Sequence, residues 1–482
     1  MVLALGSCSV RFPLAQASPT PTPAASPVAG GTLAWSDCRD GVECASLDVK
    51  LDRSNPAAGT ITLDLARLAA RPGGNRIGTL LVNPGGPGES GIRFLRGAAR
   101  LLDPFRERFD VLSWDPRGVG GSDILQCEPG PDLERYLGTD PVVDDPAERG
   151  AWIDVNRAYA AGCGSNGKRI LPFLGARDVA EDMDDIRAAV GDDKLSYLGI
   201  SYGTMLGLTY ADAHPERIRA MALDGAIDPA LGALDLVKQQ GLGFEAELND
   251  FLAFCAGDTT CAIHYGGNPR AVLDRVIAEA DRNGIPAGGR RVTAGIIYYS
   301  LAVGLYSRGS WPGLAGAIAR GANGDGGTLL SLADLYFHRH TDGSYDPLFD
   351  VYTAVTCIDR PTPTDITEFD RLADSLAGSA PHFGRAIAWQ SLPCAYWPVP
   401  PTGAAGPVSA PGSPPILVIG GTGDPATPYE MSVSVAKQLA HGVLLTRNGG
   451  GHPSIDKSQC VRDAVQGYLF SLTTPPDKTT CD

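Results

Sequence analysis

The chain has 482 residues, of which 43% are hydrophobic and 20% are charged, and its formal net charge at pH 7 is −15. A chain of this length and composition can bury a large core and is expected to exceed a single domain. The negative charge argues against nucleic acid as a partner, because the phosphates would repel it. It is compatible with cationic peptide termini, but a solvated acidic surface explains it equally well.

Residues 1–31 are predicted to precede the folded part of the chain. Leu5-Gly6-Ser7-Cys8 resembles a bacterial lipobox, so Cys8 is a candidate lipid anchor. Only seven residues precede Cys8, too few for the charged and apolar regions of a signal peptide. Either the natural start lies upstream, which we expect, or the lipobox pattern is accidental. Residues 18–29 are rich in Pro, Thr and Ala and suit an extended tether.

Residues 32–229 alternate strand-like apolar runs with helix signals, the pattern of a mostly parallel sheet covered by helices. One helix is clear, because apolar residues from Val179 to Val190 recur every three or four positions, and Asp178 is predicted to be its N-cap. The segment is therefore predicted to be the first part of an α/β core. Its predicted strands are residues 61–65, 78–82, 109–114, 195–200 and 221–223.

A glycine-rich loop follows the predicted strand at 78–82 and reads Asn83-Pro84-Gly85-Gly86-Pro87-Gly88. It could be a phosphate-binding loop, but no G-x-x-x-x-G-K-[ST] follows, and the proline does not suit a G-x-G-x-x-G fingerprint. An acyl-transfer site needs N–H donors for a developing oxyanion, each contributing roughly a hundred- to thousandfold in rate. We interpret the loop as the source of one such donor, with Gly86 as the candidate.

Ser201 lies in Gly199-Ile200-Ser201-Tyr202-Gly203, between the predicted strand at 195–200 and a helix-like run. The G-x-S-x-G pattern on a strand, a sharp turn and a helix is typical of a serine held for nucleophilic attack. The pattern also arises by chance in a chain with 60 glycines. If Ser201 is the nucleophile, the backbone N–H of Tyr202 is the second candidate oxyanion donor.

A long stretch separates the strand at 221–223 from the next predicted core strand at 415–419, and it is too long for a simple connection. It contains helical runs of its own, such as residues 271–277. We therefore predict an inserted, mainly helical cap domain at 230–405, followed by the C-terminal part of the core at 406–482. Aromatic residues of this cap could line a substrate pocket, although core packing is the commoner fate.

Asp424 follows the apolar run at 415–419 and a short glycine-rich stretch, which places a carboxylate at the end of a predicted strand. It could instead be an ordinary turn residue before the next helix. Thr427-Pro428-Tyr429-Glu430 has the form of a capping box with proline at the first helical position. Thr427 is therefore predicted to cap that helix, which leaves Asp424 free for another role.

His452 follows a predicted strand at 443–446 and the loop Asn448-Gly449-Gly450-Gly451. Of the seven histidines it alone is preceded by a glycine-rich segment. His214 is expected to end a helix, and His338 and His340 are expected to lie in a surface stretch. A serine hydroxyl needs an imidazole to take its proton, and a carboxylate to orient that imidazole. The chain order Ser201, Asp424, His452 is the one expected of an α/β-hydrolase triad.

Eleven cysteines are many for a reducing cytosol and predict export to an oxidising compartment. No C-x-x-C is present and no histidine pair completes a zinc pattern, so metal binding is improbable, and the predicted chemistry needs no cofactor. Setting Cys8 aside leaves ten cysteines, and pairing of sequence neighbours is the simplest arrangement. The predicted pairs are Cys38–Cys44, Cys127–Cys163, Cys255–Cys261, Cys357–Cys394 and Cys460–Cys481.

Several motifs together resemble the secreted tripeptidyl aminopeptidases of actinobacteria, which are serine α/β-hydrolases related to prolyl aminopeptidases. The resemblance spans residues 79–452. The motifs are Asn83-Pro84-Gly85-Gly86-Pro87-Gly88, Trp114-Asp115-Pro116-Arg117-Gly118-Val119-Gly120-Gly121-Ser122, Gly199-Ile200-Ser201-Tyr202-Gly203, Leu223-Asp224-Gly225, Thr356-Cys357-Ile358-Asp359, Cys394-Ala395-Tyr396-Trp397-Pro398 and Gly423-Asp424-Pro425-Ala426-Thr427-Pro428.

The resemblance implies that short peptides, tripeptides in particular, are released from free N-termini. Such an activity needs an anionic group to hold the substrate ammonium, and Glu89 and Asp359 are the candidates. An esterase or lipase with the same three catalytic groups remains the alternative, because the acyl-transfer machinery is shared and the cap decides which leaving group fits.

Overall fold

The computed structural model describes residues 33–482, so the predicted lipid anchor at Cys8 and the tether at 18–29 lie outside the described residues. The strands are β1 Ser36–Asp37, β2 Glu43–Lys50, β3 Thr60–Leu68, β4 Gly78–Asn83, β5 Phe109–Trp114, β6 Leu195–Ile200, β7 Ile218–Asp224, β8 Ile285–Ala287, β9 Arg290–Val292, β10 Ile416–Gly423, β11 Gly442–Gly450 and β12 Thr479–Cys481. The α-helices are α1 Gly91–Gly97, α2 Ala99–Leu102, α3 Gly130–Gly138, α4 Pro146–Asn166, α5 Ala176–Ala189, α6 Tyr202–Ala213, α7 Ala233–Gly257, α8 Pro269–Asn283, α9 Ala294–Leu305, α10 Trp311–Ala322, α11 Gly327–Tyr336, α12 Leu348–Asp359, α13 Thr367–Leu376, α14 Phe383–Ala388, α15 Leu392–Ala395, α16 Tyr429–Gln438 and α17 Gln459–Ser471.

Ten strands form one sheet in the order β1-β2-β3-β5-β4-β6-β7-β10-β11-β12. The pairs from β5 to β12 are parallel, whereas β1, β2 and β3 join as an antiparallel edge. Every residue of β5 and β6 is buried, because both faces of the central sheet are covered. The predicted mostly parallel sheet with flanking helices is confirmed. The carboxyl ends of β4, β6, β10 and β11 therefore meet at one edge.

The inserted segment, residues 225–415, connects β7 to β10 and contains α7 to α15 and the β8–β9 hairpin. One part of it has a hydrophobic core of its own, in which Leu248, Phe251 and Ile318 are buried together. Another part packs into the main core through residues such as Ile358 and Trp389. The segment is mainly helical, and its division from the core at residues 230 and 405 stays a prediction.

The predicted cap of α5 is wrong. The helix begins at Ala176, and Asp178 lies inside its first turn instead of before it. The N–H of Ala176 donates to Asp359 Oδ1 at 2.7 Å, so a carboxylate far away in the sequence satisfies the helix end. A contact of this kind leaves no local signal, which is why the boundary was misplaced.

Five disulfides stabilise the described part of the chain, and they are the five pairs predicted from sequence adjacency. They are typical of proteins exported to an oxidising compartment. Within residues 33–482, none of the helices combines the length and the apolar character that a membrane crossing requires.

The motif around Arg117 anchors the N-terminal strands to the helix layer. Arg117 is 1% exposed, and its Nε and Nη2 donate to the two oxygens of Asp182 at 2.6 and 2.7 Å. Further bonds from the same guanidinium reach the carbonyls of Lys50 and Leu51 at the end of β2. Asp182 also pairs with Arg53 at 2.6 Å. The Arg117–Asp182 pair therefore connects the segment after β5, helix α5 and the end of β2.

We expect Asp182→Ala to lower the free energy of unfolding by about 3–5 kcal/mol, because it leaves the buried Arg117 without its carboxylate. Denaturant titration measures the change. Asp185→Ala is the matched control on the same helix, since the Asp185 side chain is 42% exposed and, among the described residues, forms an ion pair only with Arg53; its effect should stay below about 1 kcal/mol. Equal losses in the two variants would contradict a clamp formed by Arg117 and Asp182.

Candidate active site

Ser201 occupies the sharp turn between β6 and α6. Its backbone angles are φ 55° and ψ −125°, a conformation that residues with a side chain rarely adopt. The Ser201 N–H donates to the Asp224 carbonyl at 2.9 Å, which fastens the turn to β7. The Ser201 side chain lines a large cavity.

The turn requires glycine at several positions because other backbone segments approach it closely. A β-carbon at Gly199 would lie 2.4 Å from the Gly203 carbonyl oxygen, and one at Gly203 would lie 2.6 Å from the Asn83 carbonyl oxygen. On the facing loop, a β-carbon at Gly85 would lie 2.5 Å from the Ile200 carbonyl oxygen. The glycine-rich loop after β4 is therefore pressed against the serine turn.

His452 and Asp424 form a buried pair at the ends of β11 and β10. His452 Nδ1 lies 2.7 Å from Asp424 Oδ2, and the residues are 7% and 4% exposed. Asp424 Oδ1 accepts from the backbone N–H groups of Ala426 and Thr427 at 3.0 and 2.8 Å, which fixes the carboxylate plane. The Nδ1–H donates to Asp424, so the imidazole presents Nε2 as a proton acceptor.

Thr427 does not cap α16, and the predicted capping box is wrong. The helix begins at Tyr429 after Pro428, with no side-chain cap bond. The Thr427 hydroxyl instead donates to Asp424 Oδ2 at 3.0 Å and lies 3.2 Å from His452 Nδ1. Tertiary contact with the buried pair has replaced the local cap, so Thr427 helps to orient the two groups.

The pKa of His452 is raised above its usual value. Burial acts to lower the pKa, but the charge of Asp424 and its hydrogen bond favour the imidazolium more strongly. Asp224 adds a smaller favourable charge. The site is therefore built to stabilise a protonated imidazole, the form that a base takes after it has accepted a proton.

Two further charged residues, for which the sequence predicts no role, hold the loop that carries His452. Asp224 is fully buried and accepts from the N–H groups of Ser454 and Ile455 at 3.0 and 2.7 Å. Burial raises the pKa of Asp224 to about 6, although these hydrogen bonds oppose the shift. Arg447 Nη2 donates to the carbonyls of Gly450 and Gly451 at 3.1 and 2.8 Å. The sequence signal that could have pointed to Asp224 and Arg447 is a charged residue near the end of a buried strand.

The candidate oxyanion donors lie on both sides of the serine turn. Gly85 N–H is already used, because it donates to Asn83 Oδ1 at 2.9 Å. Among the described residues, the N–H groups of Gly86 and Tyr202 have no acceptor, and both residues line the cavity with Ser201. Two free backbone donors therefore flank the serine.

The cavity has a volume of about 870 Å³, within the range of small-molecule sites. Ser201 and His452 both line it, although no hydrogen bond joins them among residues 33–482; such contacts often tighten only when substrate binds. The inserted segment supplies an aromatic wall that includes Tyr306 and Tyr336. The Tyr306 ring packs edge-on against His452, with ring centroids 5.7 Å apart. The inserted segment therefore covers the site directly.

Glu89 and Asp359 both line the cavity, but their surroundings differ. Asp359 is 4% exposed, and its oxygens accept from Ala176 N–H at 2.7 Å and from the Tyr202 hydroxyl at 2.6 Å. The Glu89 side chain is one-third exposed and, within the described part of the chain, makes only long ion pairs of 3.8 Å to Arg93 and 3.7 Å to His338. The Glu89 carboxylate can therefore accept further hydrogen bonds, whereas both oxygens of Asp359 already accept from groups of the protein.

His338 lies in a surface stretch with His340, as expected, but it also borders the cavity. Its side chain is 21% exposed and lines the cavity opposite Glu89. Arg93 Nη2 lies 2.9 Å from His338 Nδ1, and burial lowers the pKa of the imidazole. The inserted segment therefore meets the glycine-rich loop at the edge of the cavity.

Carboxylates that could hold a cation occur elsewhere in the described residues. Asp140, Glu148 and Asp281 form one close group, and Asp144, Asp145 and Glu148 form another. Burial and neighbouring carboxylates raise the pKa of Asp140 to about 6 and that of Glu148 to about 7. None of these residues lines the Ser201 cavity.

The sheet, the serine turn and the buried imidazole–carboxylate pair define a serine hydrolase of the α/β-hydrolase class. The family model described as "alpha/beta hydrolase fold" matches residues 78–263, and the one described as "TAP-like protein" matches residues 380–481. The chain belongs to the tripeptidyl-aminopeptidase-like family of α/β hydrolases.

Three relatives illustrate the range of this family. The chain is 37% identical to "Serine protease Hip1" of Mycobacterium tuberculosis, over 95% of this chain and 92% of the relative. It is 35% identical to "Carboxylesterase B" of the same species, over 97% and 94%. It is 30% identical to "Tripeptidyl aminopeptidase" of Streptomyces lividans, over 95% and 88%. The family thus includes proteins named as peptidases and one named as an esterase.

Proposed function

We propose that this protein is a serine exopeptidase that releases short peptides, tripeptides in particular, from free N-termini. The observation that carries the proposal is the buried His452–Asp424 pair, at 2.7 Å, whose imidazole lines the same cavity as Ser201. Relatives named as a serine protease and a tripeptidyl aminopeptidase support a peptide substrate.

In the proposed mechanism, Ser201 Oγ attacks the carbonyl carbon of the scissile peptide bond while His452 Nε2 takes the hydroxyl proton. The N–H groups of Gly86 and Tyr202 stabilise the oxyanion, and Asp424 stabilises the imidazolium. His452 then donates its proton to the leaving amine, which breaks the C–N bond and leaves an acyl-enzyme. Water attacks the ester with His452 as base, releasing the short peptide and restoring the Ser201 hydroxyl.

Glu89 is the proposed anchor for the substrate ammonium. Its carboxylate lies in the cavity, it directly follows the loop that carries Gly86, and it has no hydrogen bond among the described residues. Asp359 suits this role less well, because Ala176 and Tyr202 already occupy its oxygens. Both residues were candidates from the sequence, and the difference in their hydrogen bonding favours Glu89.

A carboxylesterase is the second candidate. The cavity wall is largely apolar and aromatic, with Phe244, Tyr306 and Phe349 among its residues, and such a wall suits an acyl chain as well as peptide side chains. The relative named Carboxylesterase B supports the same alternative. The two activities share every catalytic group and differ only in the leaving group.

Matched substrates separate these functions. We expect a tripeptidyl 4-nitroanilide with a free N-terminus to be cleaved at least about 30-fold more efficiently, in kcat/KM, than its N-acetylated form, because acetylation leaves the anchoring carboxylate unpaired. Glu89→Gln should remove most of this preference. Equal cleavage of the two forms would exclude aminopeptidase action, and hydrolysis of short acyl esters without any anilide cleavage would favour the esterase.

A further inference from the structure

Arg360 is a buried cation for which the proposed mechanism has no use. It directly follows α12 and is 4% exposed. Its Nε donates to the Leu231 carbonyl at 3.2 Å, and its Nη2 donates to the Asp228 carbonyl at 3.5 Å. Among residues 33–482, no carboxylate forms an ion pair with it, whereas the equally buried Arg117 is held by Asp182 at 2.6 Å.

One end of the Arg360 guanidinium is available to a ligand. Nη1 has no hydrogen-bond partner within the described part of the chain, and the side chain lines the cavity that contains Ser201. Burial lowers the pKa of Arg360, which reflects the cost of holding this charge away from water. A buried guanidinium without a paired anion is costly. A ligand anion that enters the cavity would supply the missing partner.

The guanidinium of Arg360 shares the cavity with the proposed nucleophile. Its Nη2 is 4.0 Å from Met205 Sδ, and Met205 follows Ser201 by one turn of α6, about 6 Å along the helix axis. A peptide extends by roughly 3.3–3.6 Å per residue. An anion bound by Arg360 is therefore expected on a residue within a few positions of the scissile bond.

The nearest carboxylates have other partners. Asp359 accepts from Ala176 and Tyr202, as described above, and Asp228 accepts from Ala230 N–H at 2.9 Å and from Gln438 Nε2 at 2.7 Å. These bonds occupy both oxygens of Asp359 and Oδ1 of Asp228. Their charges stabilise Arg360 at a distance but leave its Nη1 without an acceptor.

We propose that Arg360 forms an anion subsite in the catalytic cavity, which binds a carboxylate that the substrate carries within one or two residues of the bond attacked by Ser201. The proposal rests on the proposed peptidase function. The carboxylate can come from an acidic side chain beside the scissile bond or from the C-terminus of a short leaving peptide. In either form the enzyme prefers substrates that bear a negative charge at this position.

Two pairs of peptides with free N-termini test the subsite in the unmodified enzyme. One pair has Glu or Gln before the scissile bond, and the other ends in a free acid or an amide one residue after it. We expect kcat/KM to be about 10- to 100-fold higher for the carboxylate member of one pair, the effect of one charge-assisted hydrogen bond. The pair that responds identifies the source of the carboxylate. Equal rates within both pairs would overturn the proposal.

Variants separate recognition from a scaffolding role. Arg360→Gln should abolish the preference while kcat/KM for the neutral member changes only a few-fold, and Arg360→Lys should retain part of it. Arg385→Gln, in the same inserted segment and outside the cavity, is the matched control. Equal losses on charged and neutral substrates would mean that Arg360 only supports the loop at Leu231, and would overturn the subsite. If Arg360→Gln does not fold, the comparison of the two peptide pairs with the unmodified enzyme still tests the subsite.

Failure of the subsite is distinguishable from failure of the proposed function. Cleavage of the neutral peptides by the unmodified enzyme tests the peptidase alone, because these substrates do not depend on Arg360. If no peptide is cleaved and short esters are, the peptidase proposal has failed. The subsite is then tested with the 4-nitrophenyl ester of succinic acid against the corresponding ester of succinamic acid. Equal rates for these esters would overturn the subsite as well.

Discussion

Ser201→Ala is expected to lower kcat by about a millionfold while the fold remains intact. The proposed mechanism has no second nucleophile, and the residual rate over water would come from binding and from the oxyanion donors alone. Alanine can replace serine in the strained turn without any new contact, so the melting temperature should change little. Steady-state kinetics with a tripeptidyl anilide and thermal melting measure the two quantities.

A covalent serine probe provides an independent readout of the same variant. A fluorophosphonate should label the unmodified protein and fail to label Ser201→Ala. Ser165→Ala is the matched control, because Ser165 lies on the exposed side of α4 and its hydroxyl donates only to the Ala161 carbonyl in the part of the chain that the structure describes. Labelling of Ser201→Ala at the normal rate would show that another residue is the nucleophile.

Asp424→Asn is expected to lower kcat/KM by about 10⁴-fold and to move the acidic limb of the pH profile to lower pH. His452 acts as a base only when neutral, so activity rises as the pH increases through its pKa. In the unmodified protein, Asp424 holds the pKa of His452 above its usual range, whereas burial opposes this. Without the charge of Asp424 the opposing effect of burial dominates, so the pKa and the midpoint of the limb both fall.

The pH dependence of kcat/KM in both proteins measures this shift. Asp463→Asn is the matched control, since Asp463 is exposed on α17 and its side chain hydrogen-bonds only with Gln459 among residues 33–482; its profile should match that of the unmodified protein. An unchanged midpoint in Asp424→Asn would contradict a direct partnership between Asp424 and His452, whatever the loss of rate.

The central strands could be predicted from the sequence because burial on both faces makes each of them a continuous apolar run. The predictions at 109–114 and 195–200 coincide with β5 and β6. Helix starts were less predictable. Asp178 and Thr427 both fit local capping rules, yet in each case a group distant in the sequence or in the active site takes over the hydrogen bond. Local capping rules therefore fail where a tertiary contact supplies the hydrogen bond instead.

The motifs in the sequence pointed to the groups that would perform the chemistry but not to those that hold them in place. Ser201 and His452 each follow a strand and a glycine-rich signal, which is why they could be selected. Asp224, Arg447 and Arg360 act through backbone contacts across the fold, and their immediate sequence shows at most a charged residue after an apolar run, not the contacts that it makes. Their roles depend on burial, which a single sequence does not reveal.

The proposed nucleophile and its base are supplied by distant parts of the polypeptide. Ser201 follows β6, whereas Asp424 and His452 follow β10 and β11, after the whole inserted segment. During synthesis, a nascent chain that stops short of residue 452 carries the serine without a group to activate it. The protein would thus become an active hydrolase only after nearly its full length has been translated and folded. Incomplete chains would not hydrolyse components of the cell that makes them.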